Sequence, residues 1–269
     1  ASNNTAVGSN ALLSNTTGGS NVAMGRDALK ANTTAALNTA VGDCALQANT
    51  TGDINAAFGA YALRTNTTGS ANVAVGKNSV LANTTGASNT GLGYNALSKN
   101  TTASNNTAVG SSSLACNTTG TENTAVGKDA LKLNVGAIQN TAVGGSALRD
   151  NTTGACNTAV GFNSLVQSTT SSNNTAIGRA SLFSNTTGAN NAAVGYLALE
   201  ASTTGSGNVA VGSSALQKNT TAGSNSAIGC LALYSNTTGT NNTAVGRSAL
   251  QENTTGTGNV GVGTGALCN

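Results

Sequence analysis

From Asn4 the chain reads NTAVGSNALLSNTTGGS, then NVAMGRDALKANTTAAL, then NTAVGDCALQANTTGDI, and it goes on in this way with no residue inserted or dropped. The period is 17 residues, marked by Asn4, Asn21, Asn38, Asn55, Asn72, Asn89, Asn106, Asn123, Asn140, Asn157, Asn174, Asn191, Asn208, Asn225, Asn242 and Asn259. Counted from that asparagine, the fifth position is always glycine, from Gly8 to Gly263, and the ninth is leucine except at Val80. One residue type returning in every copy means one environment returning in every copy. A fixed period without insertions is what a stack of equivalent coils requires.

Seventeen residues are too few for a helix pair, so the expected unit is one turn of parallel β-structure. NTAVG supplies the strand. Its third position is alanine or glycine throughout, and its fourth is always apolar: Val7, Met24, Val41, Phe58, Val75, Leu92 and onwards. Side chains alternate across a strand. The larger second and fourth positions are therefore expected to point into the coil and meet the recurring leucine, leaving Asn, Ala and Gly on the other face. The middle of the repeat, as in RDALKAN, offers Asp, Asn or Ser before Ala-Leu; that suits one helical turn or a second short strand or tight turn, and the latter is favoured because an isolated turn of helix has little stability. The coil closes on NTTG, a turn composition. The expected fold is all-β, a parallel β-solenoid (β-roll) of sixteen 17-residue coils forming a single solenoid over 1–269. At ~4.8 Å per coil it would rise on the order of 75 Å. Asparagines stacked in the first column are expected to hydrogen-bond along the axis as a structural ladder.

Composition alone, with 7% charged and 3% aromatic residues and no His, Trp or Pro, would also suit a disordered tract, and the periodicity decides against that. The net charge of +3 is too small and dispersed for a nucleic-acid partner, and no apolar run approaches the ~20 residues of a membrane helix. Every Lys and Arg falls at the sixth, tenth or eleventh position, among them Arg26, Lys77, Lys128 and Arg179, and the strand columns carry none. The five cysteines, Cys44, Cys116, Cys156, Cys230 and Cys268, fall in five different columns, so stacking brings no two together for a disulfide within the chain. The chain opens at Ala1 inside a repeat and shows no polar capping coil at either end. That composition is expected of a section of a longer polypeptide, or of rods that stack head to tail.

No histidine is present for acid-base or metal work, and the carboxylates Asp27, Asp43, Asp53, Glu122, Asp129, Asp150, Glu200 and Glu252 form no close pair in like columns. The expectation is a protein without catalytic, cofactor or metal site. One motif has chemical content. Asn-Thr-Thr satisfies the N-glycosylation rule at Asn15, Asn32, Asn49, Asn66, Asn83, Asn100, Asn117, Asn151, Asn185, Asn219, Asn236 and Asn253. The same residues are also plain turn chemistry. Rows of threonine invite an ice-binding reading, but adjacent threonines such as Thr16 and Thr17 point to opposite sides if extended, and NVG at Asn134 interrupts the row.

NTAVGSNAL and its variants NTAIGRASL and NVAVGKNSV resemble the head repeats of trimeric autotransporter adhesins, and, with the NTTG turns, similar repeats in phage tail fibres and bacterial surface fibres. The resemblance runs over essentially the whole chain. It implies a β-roll serving as an extracellular fibre or adhesin shaft on a cell or virion surface. It also implies copies of the chain as partners, in a lateral trimer or a head-to-tail filament, with surface glycans or a host receptor as further partners. If lateral, contact is expected on the small face of Asn4, Ala6 and Gly8 and their equivalents. An ice-binding or a carbohydrate- or receptor-binding solenoid is the alternative.

Overall fold

A computed structural model describes residues 2–268. The chain divides into two compact units, one running to Ala137 and the other from Ile138 onwards. The N-terminal unit holds β1 Thr5–Val7, β2 Val22–Met24, β3 Thr39–Val41, β4 Ala56–Phe58, β5 Val73–Val75, β6 Thr90–Leu92, β7 Thr107–Val109 and β8 Thr124–Val126. The C-terminal unit holds β9 Thr141–Val143, β10 Thr158–Val160, β11 Thr175–Ile177, β12 Ala192–Val194, β13 Val209–Val211, β14 Ser226–Ile228, β15 Thr243–Val245 and β16 Val260–Val262. Within each unit consecutive strands pair in parallel at an offset of one whole repeat, as in Thr39↔Ala56, Ala40↔Ala57 and Val41↔Phe58. Each unit is thus a parallel β-solenoid in which like columns lie over like, and no described residue is helical.

The strands stop after three residues because of the glycine that follows. That glycine takes φ between 118° and 140° in every coil, a conformation that L side chains avoid. A Cβ on Gly42 would also lie 2.6 Å from the carbonyl of Gly59 in the next coil. Glycine is required here twice over, by backbone angle and by space.

The middle of the coil is a run of three overlapping β-turns. In the second coil the amides of Ala28, Lys30 and Asn32 donate to the carbonyls of Gly25, Asp27 and Leu29 at 3.4, 3.3 and 3.1 Å. The seventh and ninth residues take φ near +55°, Asp27 at 56° and Leu29 at 49°, as the third residue of a type II turn does. The alternate amides leave the coil: Asp27 N–H donates to Ser9 O at 2.9 Å in the preceding coil, and Leu29 N–H to Ala45 O at 3.0 Å in the following one. Tight turns, not a helical turn or a second strand, therefore occupy this segment. Leucine in the left-handed region costs roughly 1–2 kcal/mol, and its complete burial contributes roughly 1.5–3 kcal/mol; Leu29 is fully buried, so packing outweighs the local cost.

The expected sidedness of the strand is reversed. Alanine at the third position is fully buried, as at Ala23, Ala40, Ala57 and Ala74, whereas Val7, Met24, Phe58 and Leu92 at the fourth face outwards. The inner space of so short a coil is filled by alanines from the third and eighth positions, the leucine of the ninth and asparagines from the first and twelfth. No room remains there for a second large side chain from the strand. The column restricted to Ala or Gly is the inner one, and the column whose size varies is the outer one. Contact between chains on Asn4, Ala6 and Gly8 and their equivalents is overturned by the same observation, since that face is the interior of the coils.

Candidate functional site

Two asparagine columns run through the interior. In the first, Oδ1 of one asparagine accepts the backbone N–H of the next, as Asn21 N–H to Asn4 Oδ1 and Asn38 N–H to Asn21 Oδ1, both at 2.9 Å. Its Nδ2 crosses the coil to the fifteenth carbonyl, Asn21 to Ala35 O at 2.8 Å. The twelfth-position asparagine reaches the same carbonyl from the other side, Asn32 Nδ2 to Ala35 O at 3.0 Å, and also donates to Asn15 Oδ1 at 2.9 Å in the preceding coil. A coil that carries both asparagines is thereby clamped shut across its own interior and tied to its neighbour. The geometry suits amides and nothing else of that size, because each needs both donors and its acceptor.

This placement removes the glycosylation candidates from the folded coil. Asn32, Asn49, Asn66, Asn83, Asn100, Asn117, Asn151, Asn185, Asn219 and Asn236 are all fully buried. Asn15 and Asn253 are half-buried, with Nδ2 donating to Gly18 O and Gly256 O. A glycan needs the nitrogen that each of these side chains spends on closing its turn. The first threonine of each triplet is likewise engaged: Thr33 Oγ1 donates to Thr50 O at 3.1 Å and Thr50 Oγ1 to Thr67 O at 3.0 Å. The second, as at Thr17, Thr34 and Thr51, is exposed.

Charges lie on the turn side of the coils. Arg26 and Asp43, both in the sixth column of adjacent coils, pair at 2.8 and 3.0 Å. The guanidinium holds the Asp43 carboxyl below the usual carboxylate range. In the same column Phe162, Arg179 and Tyr196 are exposed in three consecutive coils, with the Arg179 guanidinium 5.6 Å from the Tyr196 ring centre. Phe162 and Tyr196 are thus brought into one column, with Arg179 between them. Lys218 lies over Tyr234 at 4.7 Å and Arg64 over Tyr61 at 5.4 Å.

Among the described residues no group of three His, Cys, Asp or Glu side chains is placed to hold a metal ion. A hollow of about 310 Å³ opens at the last coil between Leu250, Asn253, Asn259 and Leu267. Among the described residues Glu252 is the one titratable side chain on its wall. Among the described residues no helix is long and apolar enough to cross a membrane.

The extended feature that sequence reasoning missed is the outward strand face. In the C-terminal unit its two columns carry Thr141, Thr158, Thr175, Ala192, Val209, Ser226, Thr243 and Val260 beside Val143, Val160, Ile177, Val194, Val211, Ile228, Val245 and Val262. Size variation in the fourth column, against strict smallness in the third, was the available signal. The fold and this geometry define a β-solenoid repeat protein. Compared with known proteins, the chain matches no family model and no curated protein.

Proposed function

We propose that the chain is a non-catalytic structural repeat, forming the shaft of an extracellular fibre on a cell or virion surface. The observation that carries this reading is the repetition of one bonding scheme, a buried first-column asparagine ladder and an in-register strand, in coil after coil of each unit, with a second buried ladder running through the N-terminal unit. Stability in such a molecule is a sum over neighbouring coils, which suits an object whose length is its function. The resemblance of NTAVGSNAL to adhesin and tail-fibre repeats supports the surface location. Copies of the chain are the proposed partners, meeting on the outward strand face of the N-terminal unit, where Met24, Phe58 and Leu92 stand 42–44% exposed. The exposed Phe162–Arg179–Tyr196 column supports surface glycans as a further partner, because aromatic rings and a guanidinium suit sugar faces and acidic substituents. Electron microscopy of the purified chain tests the main reading. Rods or filaments of constant width, whose length falls in proportion as whole 17-residue repeats are deleted, are the expected result. Compact particles of constant shape would count against it.

A further inference from the structure

We propose that the outward strand face of the C-terminal unit binds ice. The proposal does not rest on the fibre reading; it starts from the reversal of the strand, which turns Thr-Ala-Val inside out relative to its expected packing. The alanine is buried, and the threonine and valine of β9, β10 and β11 stand together on the surface as Thr141/Val143, Thr158/Val160 and Thr175/Ile177.

Four properties of this face point to a crystalline partner. The first is periodicity. Strands in register repeat every ~4.8 Å across the sheet, and the two outward residues of each strand are ~6.6 Å apart along it, so the side chains form a two-dimensional grid. Liquid water has no such long-range period, and solid water does. The second is rigidity: the fourth column of this unit is Val or Ile in every coil from Val143 to Val262, and β-branched side chains are stiff at χ1. A grid already fixed before binding loses little entropy when it meets a lattice.

The third is chemistry. Among the described residues the hydroxyls of Thr141, Thr158, Thr175, Ser226 and Thr243 make no hydrogen bond, so they are free to anchor water, while the neighbouring methyl groups order water without competing for it. The fourth is electrostatic match. An ice surface is neutral, and columns one to five of the repeat hold no Lys, Arg, Asp or Glu; all the cations sit on the turn columns. A protein partner would want the opposite of this face, a few large anchors such as Trp, Tyr or Arg set in pockets. Each water-mediated contact is weak, but a rigid row of equivalent contacts engages together, and their product sets the affinity. The threonines of the NTT turns are not part of this surface. The break at Asn134-Val135-Gly136 that spoils their row therefore leaves the strand face untouched.

The test is ice-affinity partitioning of the full chain, in which slowly grown ice is melted and its protein content compared with that of the remaining liquid, together with crystal shape in a nanolitre osmometer. Wild-type chain is expected to concentrate in the ice and to facet the crystals. Thr158→Tyr, placed in the middle of the Thr141–Thr175 run, is expected to lower the partition by about tenfold through loss of simultaneous contact. Thr153→Tyr, at an exposed NTT turn of the same unit and off the strand face, is expected to leave it unchanged. Circular dichroism confirms that both variants are folded. Exclusion of the wild type from ice overturns the proposal, as does an equal loss in both variants. Sedimentation showing a dimer that Thr158→Tyr dissolves also overturns it, because this face would then be an interface between copies.

Discussion

The two units share one repeat and differ in where they allow it to vary. In the N-terminal unit the twelfth-position ladder is unbroken, each asparagine from Asn32 to Asn134 donating to the one before it, as Asn100 does to Asn83 at 2.9 Å and Asn117 to Asn100 at 2.9 Å. Its outer face, by contrast, is interrupted by Met24, Phe58 and Leu92. The C-terminal unit reverses this. The fourth column of its outer face is a uniform row of Val and Ile, while Ser168 and Ser202 break the ladder inside, leaving Asn185 Oδ1 and Ser202 Oγ buried without a partner. Ser171 fills part of the gap, accepting Nδ2 of Asn174 and of Asn185, each at 3.1 Å. Interior regularity and exterior regularity are therefore separable properties of one repeat. Selection for a contact surface can act on the second without the first.

The largest expected effect is Asn100→Leu, which would strand Asn83 Oδ1 and one of the two Nδ2 hydrogens of Asn117 inside the unbroken ladder. At roughly 1–3 kcal/mol for each orphaned group, a loss of about 3 kcal/mol or more is expected. Asn185→Leu, in the broken ladder, should cost about half as much, since its Oδ1 already accepts nothing. Urea unfolding midpoints measure both; equal losses would break the comparison.

Next is Gly91→Ala. Alanine is the usual residue of that column, yet here a Cβ would lie 2.6 Å from both Ser79 Oγ and Val80 Cγ2. These two replace the usual alanine and leucine, so the three positions have exchanged volume among themselves. The substitution alone should cost about 1–3 kcal/mol and should be rescued by Ser79→Ala with Val80→Leu, read by the same unfolding curves.

Ser202→Asn sharpens the comparison from the other side. It supplies a donor to Asn185 Oδ1 and an acceptor to Asn219 Nδ2, which now reaches only Ala222 O at 3.0 Å. A gain of about 1 kcal/mol is expected, with slower hydrogen exchange confined to the neighbouring coils. Ile54→Asn should give a gain of about 1 kcal/mol or less, because a β-branched residue sits at φ 60° in an exposed turn where asparagine is at ease; a thermal melt reads it.

The smallest effect is electrostatic. The folded-state carboxyl of Asp43 is pulled below its ordinary value of 3.8 first by the hydrogen bond from Arg26. Its contribution is therefore complete above the unfolded pKa and is lost as pH falls through the lowered folded one. Asp43→Asn should remove that acidic slope from a stability–pH curve at low salt and change little at high salt.

Much of the architecture was open to sequence reading because it depends on recurrence alone. The period, the parallel register and the need for glycine after each strand follow from identical residues returning at identical spacing, whatever their side chains do. What could not be read was which way the strand faces. Alternation assigns Thr and Val to one side and Asn and Ala to the other, but both assignments satisfy the pattern. The choice depends on how much volume the turns opposite leave inside the coil. Once three overlapping turns bring Leu29 and its equivalents fully into that space, only alanine fits across from them, and the larger side chains go out. The asparagines of NTT were assigned to the surface for the same lack of a third dimension: turn composition marks where the chain bends, and only the closed coil shows that Asn32 bends inwards to a carbonyl. Local chemistry determined the repeat, and the cross-section of the assembled coil decided which of its faces meets the solvent.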